Sequence, residues 1–413
     1  MKRIKPFQGI RPIKVMAEKI SLNPNNLMNE EERREAARRN PYSFAHVVKP
    51  RIDFGDSISK TDDKLFEHAG NYFKKLMQEG CLIQDERACF YVYMQMMEGR
   101  VQTGVVSCFH VLEYEEGRMK KHEHTRADKE EENVKHLMAT GLSSNPIFLA
   151  YNPVSEIDTL VNQVKAGVPD YHFESDFGVV HSLWVVDDPK QVDRMSLLFN
   201  ERVKETYIAD GHHRAASSAL YARMMREQQP DAPADAPFNY MLTCLFPANQ
   251  LRIYDYNRIV RDLNGLSEAE FLERIQEKFT VEDYHEEDFV SHQLHHFGMY
   301  LGGHWYSLHA RPGSFANDPI GSLDVSILQD NLLAPLLGIL DPRTDKRIDF
   351  VAGTKGLSFL EKRVNKGKAA VAFALFPCTM EQLFAVADAG DVMPPKSTWF
   401  EPKLLSGLII YKV

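Results

Sequence analysis

Asp210, Gly211, His212, His213 and Arg214 place a carboxylate, a glycine, two imidazoles and a guanidinium at five consecutive positions. Groups of these types, crowded on one turn, suit the binding of phosphate. If the chain passes from strand to helix here, the first-turn amide N–H groups have no intrahelical partner. They then point outward at the positive end of the helix dipole. Gly211 would let a ligand approach the backbone, and Arg214 adds a planar fork matched to phosphate oxygens. A single Asp would read as a helix N-cap, and a single Arg as a surface partner. Five such groups together read as a site.

The flanking residues predict the required geometry. Thr206-Tyr207-Ile208-Ala209 is β-branched and aromatic, which predicts a buried strand. The stretch from Ala215 to Met225 is Ala-rich, with Leu220, Met224 and Met225 apolar and Arg223 and Arg226 late, which predicts a helix.

Two further clusters could meet the same ligand. Lys121, His122, Glu123, His124 and Arg126 precede a helix predicted to run to about Met138, opened by a capping box of Thr125 with Asp128. Orphan amides plus cations again favour an anion. Glu123, a carboxylate among cations, stays ionised and suits a base that takes a proton from a substrate hydroxyl. From Lys129 onward the charges read as a solvated face with pairs such as Glu131–Lys135. Near the C-terminus, Pro394 and Pro395 stiffen the entry to Lys396, Ser397 and Thr398, an ammonium and two hydroxyls that could clamp an anion. A merely polar loop is the competing reading.

Other chemistry-bearing residues are less specific. Arg258 lies on the strand-like stretch Arg252–Asp262 and shares the face of Tyr256 and Val260. It either points into a pocket or pairs with Asp255 or Asp262, and both readings stay open. Arg11 and His46 are second-rank pocket candidates whose plainer role is structural. Asp187 and Asp188 end a predicted strand and could hold Mg²⁺, although a strand-terminal turn is the commoner reason for such a pair. His292, His295 and His296 have no acid or cysteine at ligand spacing and read as surface histidines.

The chain has 413 residues, enough for two or three domains or one elaborated domain. Strand-like and helical stretches interleave throughout, so the expected class is α/β with mixed sheets. A boundary near Gly265 would separate a 1–264 α/β region from a 265–413 α/β region carrying Lys396–Thr398. A net charge of −9 argues against an obligate nucleic-acid partner, which needs a clustered basic surface. There is no apolar run of membrane-spanning length and no apolar stretch at the start for secretion, so cytoplasmic residence is expected. The five cysteines form no C-x-x-C and read as buried, reduced thiols. Absent too are the P-loop, the dinucleotide fingerprint and the nucleophile elbow.

Ile208-Ala209-Asp210-Gly211-His212-His213-Arg214 resembles the signature of a bacterial and archaeal domain-of-unknown-function family. The same family pattern is resembled by Gly9-Ile10-Arg11-Pro12, Lys121 to Arg126, Asn257-Arg258-Ile259-Val260, Leu323 to Leu328 and Met393 to Thr398. More locally, the turn is similar to the phosphate-binding turn of the ParB/sulfiredoxin superfamily, whose free-serine kinases carry a similar Asp-Gly-His-His-Arg. That resemblance implies a ParB/sulfiredoxin-like core elaborated with a C-terminal α/β region. It implies a small-molecule phosphotransferase interconverting serine and phosphoserine, with a nucleotide or pyrophosphate as donor and Mg²⁺ as cofactor. Asp210, Gly211, His212, His213 and Arg214 would grip the donor phosphates, with Glu123 or Asp210 as base. Lys121, His122, Arg126, Arg258, Lys396, Ser397 and Thr398 would complete a pocket for a small anionic substrate, and a homodimer is compatible with the sequence. Sulfiredoxin chemistry needs a cysteine in the turn, where this chain has histidines. The alternatives are a nucleotide- or phosphate-sensing regulator of ParB-like type, or an interaction protein with a vestigial site. A ParB-type role would need a helix-turn-helix module and a basic surface, and neither is evident.

Overall fold

In the computed structural model, which describes residues 3–24, 30–54, 57–176, 178–284 and 293–413, Thr206–Asp210 is a strand next to the edge of a nine-stranded mixed sheet. Its neighbours are the short edge strand Met119–Lys120, which runs parallel, and Ile147–Tyr151, which runs antiparallel. Beyond these the order continues through Tyr240–Pro247, Arg100–His110, Phe90–Met97, Val180–Val186 and Tyr171–Glu174, and Ile4–Lys5 also pairs with Arg100–His110. Ile147–Tyr151 and Tyr240–Pro247 are parallel; the remaining pairs are antiparallel. The apolar strands Ile147–Tyr151 and Tyr240–Pro247 are buried along their length, as expected for strands covered on both faces. Phe90, Val92, Leu149, Ile208, Met241 and Leu245 belong to one core cluster beneath the helices.

The chain divides into two compact units, Met1–Leu251 with Pro402–Val413, and Arg252–Glu401. The second is built on a six-stranded antiparallel sheet with the order Phe279–Tyr284, His304–Ala310, His296–Leu301, Val371–Ala374, Tyr256–Val260 and Ile348–Ala352. Tyr256–Val260 is an interior strand of that sheet, beside the edge strand Ile348–Ala352, so the division falls before it rather than near Gly265. The last residues belong to the first unit, where Tyr411–Lys412 pairs with Leu142–Ser143. Thirteen α-helices occur among the described residues, and none is long and apolar enough to cross a membrane.

The Arg100–His110 strand ends just before Leu112–Glu115, which turns helical. Met299 to Leu308 is two strands, because Gly302 and Gly303 both take positive φ (59° and 85°) and close a hairpin between His296–Leu301 and His304–Ala310.

Candidate functional site

The corner at Asp210 begins as a bulge. The register with Ile147–Tyr151 shifts between Ile208 and Asp210, which re-aims the Asp210 side chain as the strand ends. Gly211 follows with φ +103° and caps the His212–Gln228 helix without a side-chain bond to the first-turn amides. A Cβ on Gly211 would lie 2.8 Å from Arg214 Nη2 and 2.9 Å from its Cζ and Nε. The space above this glycine, expected to admit a ligand, is therefore filled by the Arg214 guanidinium.

Both oxygens of Asp210 meet cations. Arg214 Nη2 donates to Oδ2 at 2.5 Å, and Lys403 Nζ donates to Oδ1 at 3.0 Å. Burial by itself would raise the Asp210 pKa, but Lys403 and Arg214 outweigh it and hold the carboxyl well below the usual range. The other arm of Arg214, Nη1, donates to Asn145 Oδ1 and to the Pro146 carbonyl. Arg214 thus ties the turn to the start of the Ile147–Tyr151 strand, and most of its fork is engaged inside the protein. Sequence reasoning missed Lys403 and Asn145. Lys403 is 193 residues from Asp210, in Pro402-Lys403-Leu404, where neither spacing nor motif announces a partner.

The two histidines fasten the 121–126 segment over the turn. His122 donates its backbone N–H to His212 Nε2 at 3.4 Å, and Arg126 donates its backbone N–H to His213 Nε2 at 3.1 Å. With Nε2 accepting, neutral His212 carries its proton on Nδ1, which faces Glu123 Oε2 at 3.6 Å. His122 and His212 are buried with rings edge-to-face at 4.5 Å. Burial pushes His122 down to about 4, against the pull of Asp210. Burial and then His122 push His212 well below the ordinary imidazole range. Both are neutral near pH 7, so neither grips phosphate by charge. Glu123 has about half its side chain exposed (52%) and is the carboxylate of this site that faces solvent.

The predicted cap of the next helix is corrected. The helix is Ala127–Thr140, its N-cap is Arg126, and there is no side-chain cap bond. Asp128, expected to complete a box with Thr125, instead accepts from the Arg126 guanidinium at 3.0 and 2.8 Å. Lys121 Nζ sits over the Tyr114 ring at 4.6 Å, and His124 is exposed.

Arg258, Lys396, Ser397 and Thr398 all belong to the second unit. Arg258 is buried against the Phe350 and Tyr256 rings, and its Nη2 donates to the Lys396 carbonyl at 3.0 Å. The surface pairing with Asp255 or Asp262 does not occur: Asp255 accepts from Asn257, and Asp262 from Arg347. Lys396 takes φ 61° and lies over the Tyr256 ring at 5.7 Å. The Ser397 hydroxyl donates to the Pro394 carbonyl at 2.6 Å. Within the second unit, one arginine thus joins the Lys396 loop to the Tyr256–Val260 strand.

Of the second-rank candidates, Arg11 pairs with Asp85 and donates to Tyr171, and buried His46 contacts Asp53 at 2.8 Å and stacks on Tyr72. Asp188 N-caps the Pro189–Arg202 helix, the plainer of its two readings. His296 is not at the surface: it is buried, bonded to Ser307 and stacked on His309. His295 donates to Asp324 through its backbone, and His292 lies outside the described residues. Among the described residues no group of three or more His, Cys, Asp or Glu could hold a metal. Asp210, with a cation on each oxygen, is poorly suited to Mg²⁺.

Among solved structures the chain is similar to free serine kinase in complex with AMP, at 13% identity over 74% of this chain and 91% of that one, TM-score 0.35. It is also similar to SbnI with C-terminal truncation from Staphylococcus aureus (12% identity, 73% and 85% covered, TM-score 0.36). A conserved hypothetical protein from Pyrococcus furiosus stands at 14% identity, with 72% and 90% covered and a TM-score of 0.34. These are weak structural similarities. Comparison with curated proteins gives no match. Residues 4–326, which include the Asp210–Arg214 turn and the 121–126 segment fastened to it, match the family described as protein of unknown function (DUF1015), and the chain belongs to that family.

Proposed function

We propose that the chain is a small-molecule phosphotransferase resembling the free-serine kinases, transferring a phosphoryl group between serine and a nucleotide or pyrophosphate. One observation carries the reading: a carboxylate clamped by Lys403 and Arg214 stands where an uncapped helix begins, beside the Glu123–His212 pair. Phosphoryl transfer needs mainly positioning and charge neutralisation, and this corner supplies fixed cations and orphan amides for both.

In this reading Asp210 orients Lys403 and Arg214 rather than taking a proton, because a carboxyl held so far below its usual range is a weak base. Glu123 is the base. Its carboxylate accepts the proton of the serine hydroxyl as the serine oxygen bonds to phosphorus and the donor's bridging oxygen leaves with its electron pair. His212, its Nδ1 proton directed at Glu123, keeps that carboxylate in position. No step is assigned to a protein-bound metal; Mg²⁺ enters the assay as the counter-ion of the donor phosphates. The same proposal includes a ParB/sulfiredoxin-like core in the first unit, cytoplasmic residence, and no nucleic-acid or membrane partner.

The second reading, a nucleotide- or phosphate-sensing regulator, is favoured by the internal engagement of Arg214 with Asn145, Pro146 and Asp210. Purified protein with serine, Mg²⁺ and ATP or pyrophosphate separates the two. Phosphoserine supports the transferase; binding without turnover supports the sensor.

A further inference from the structure

Within the first unit a cavity of about 570 Å³ opens beside Arg214. Its walls carry six cationic side chains, Arg33, Lys49, Arg51, Lys60, Lys129 and Arg214, and two carboxylates, Glu30 and Glu132. Both carboxylates are already paired, Glu30 with Arg51 at 2.9 Å and Glu132 with Lys129 at 2.6 Å. Arg33, Lys49 and Lys60 have no carboxylate partner among the described residues. Burial, followed by the charges of Arg33 and Lys129, pushes the Lys49 pKa down. A chain of net charge −9 thus gathers unbalanced positive charge in one concavity, at an electrostatic cost that a bound anion would offset.

The unbalanced cations come from separate places. Arg33 is on the Glu30–Arg39 helix, Lys49 caps Ala45–Val48, and Lys60 precedes the Asp63–Gln78 helix. An anion that meets all three needs several charged oxygens along its length. Elsewhere the wall carries the hydroxyls of Ser217 and Ser218 and the apolar side chains of Leu65, Phe66 and Ile147. A volume near 570 Å³ suits a small molecule rather than a polymer.

We propose that this cavity binds the oligophosphate chain of a small ligand, with phosphates along Arg33, Lys49 and Lys60 and the inner end at Arg214. The assignment of that ligand as phosphate donor rests on the phosphotransferase reading; the binding site does not.

Isothermal titration of the full chain with inorganic triphosphate, pyrophosphate, ATP, orthophosphate and citrate tests the proposal. Triphosphate and ATP should bind, with orthophosphate and citrate at least about tenfold weaker, the factor expected from losing one charge-assisted contact. ATP binding tighter than triphosphate identifies a nucleoside ligand seated on the apolar wall; equal binding identifies an inorganic one. Lys49→Ala and Lys60→Ala should each weaken triphosphate by about tenfold, and Lys49→Arg should retain most of the affinity, with folding confirmed by far-UV circular dichroism. The proposal is overturned if the wild type binds no oligophosphate, if citrate binds as well as triphosphate, or if folded Lys49→Ala and Lys60→Ala bind unchanged. Phosphoserine formation with unaltered donor affinity in those two variants removes the cavity and leaves the transferase. Triphosphate binding that those variants lose, in a protein that makes no phosphoserine from any donor, keeps the cavity and removes the transferase.

Discussion

Replacing Gly211 by alanine probes the corner through the backbone alone. Two costs arise at one methyl group. Gly211 has φ +103°, and an L-residue held at such positive φ costs about 1–3 kcal/mol. The new Cβ would also stand 2.8 Å from Arg214 Nη2, which must move. That guanidinium cannot retreat freely, because it is bonded to Asp210, Asn145 and Pro146. Loosening charge-assisted bonds of this kind costs about 1–2 kcal/mol more. Gly211→Ala should therefore lower stability in urea titration by about 3 kcal/mol in total. In an Arg214→Ala background the clash has no object, and the glycine substitution should cost only its backbone strain. A double-mutant cycle should give a coupling of about 1–2 kcal/mol. Additive effects of the two substitutions would refute the packing of Arg214 across Gly211.

Asp210→Asn should destabilise by about 2 kcal/mol, between the values for exposed and fully buried pairs, because its partners are only partly screened from water. Lys403→Met should cost less in urea titration, since Asp210 keeps Arg214, yet should also remove phosphoserine formation. In the His46–Asp53–His68 cluster, burial opposes the charge of His46, but the bonds to Asp53 win and raise the His46 pKa. Burial would raise Asp53, yet His46 and His68 lower it. A raised histidine stabilises below its unfolded pKa and loses that contribution as pH climbs through its folded pKa. A lowered carboxyl stabilises above its unfolded pKa and loses that contribution as pH drops through its folded pKa. The stability lost in Asp53→Asn should therefore be largest between about pH 4 and 6.5 and shrink on either side, measured by urea melts across pH.

The strand–turn–helix around Asp210 was legible because local residues decide it: Tyr207 and Ile208 favour a buried strand, and the alanines that follow favour a helix. Ser267 and Glu270 form a reciprocal capping box, since both partners lie within one turn. Thr125 failed as a cap although its spacing to Asp128 was right, because Arg126 reached the same carboxylate with two bonds. The roles of His212 and His213 as acceptors for backbone N–H groups of another segment could not be read from their neighbours. Lys403 and Asn145 complete the corner from distant positions, and only the folded sheet brings them there. His296 looked solvent-exposed because its hydroxyl partner and stacking partner lie on the other strand of an unrecognised hairpin.

Phosphorus NMR of the purified full chain with serine, Mg²⁺ and either ATP or pyrophosphate addresses the central claim most directly, with Glu123→Gln and Arg214→Ala alongside. A phosphoserine resonance that grows with the wild type and is absent from both variants is the result expected. No phosphoserine from either donor, or full turnover in the folded Arg214→Ala protein, would contradict a transferase built on the Asp210–Arg214 corner.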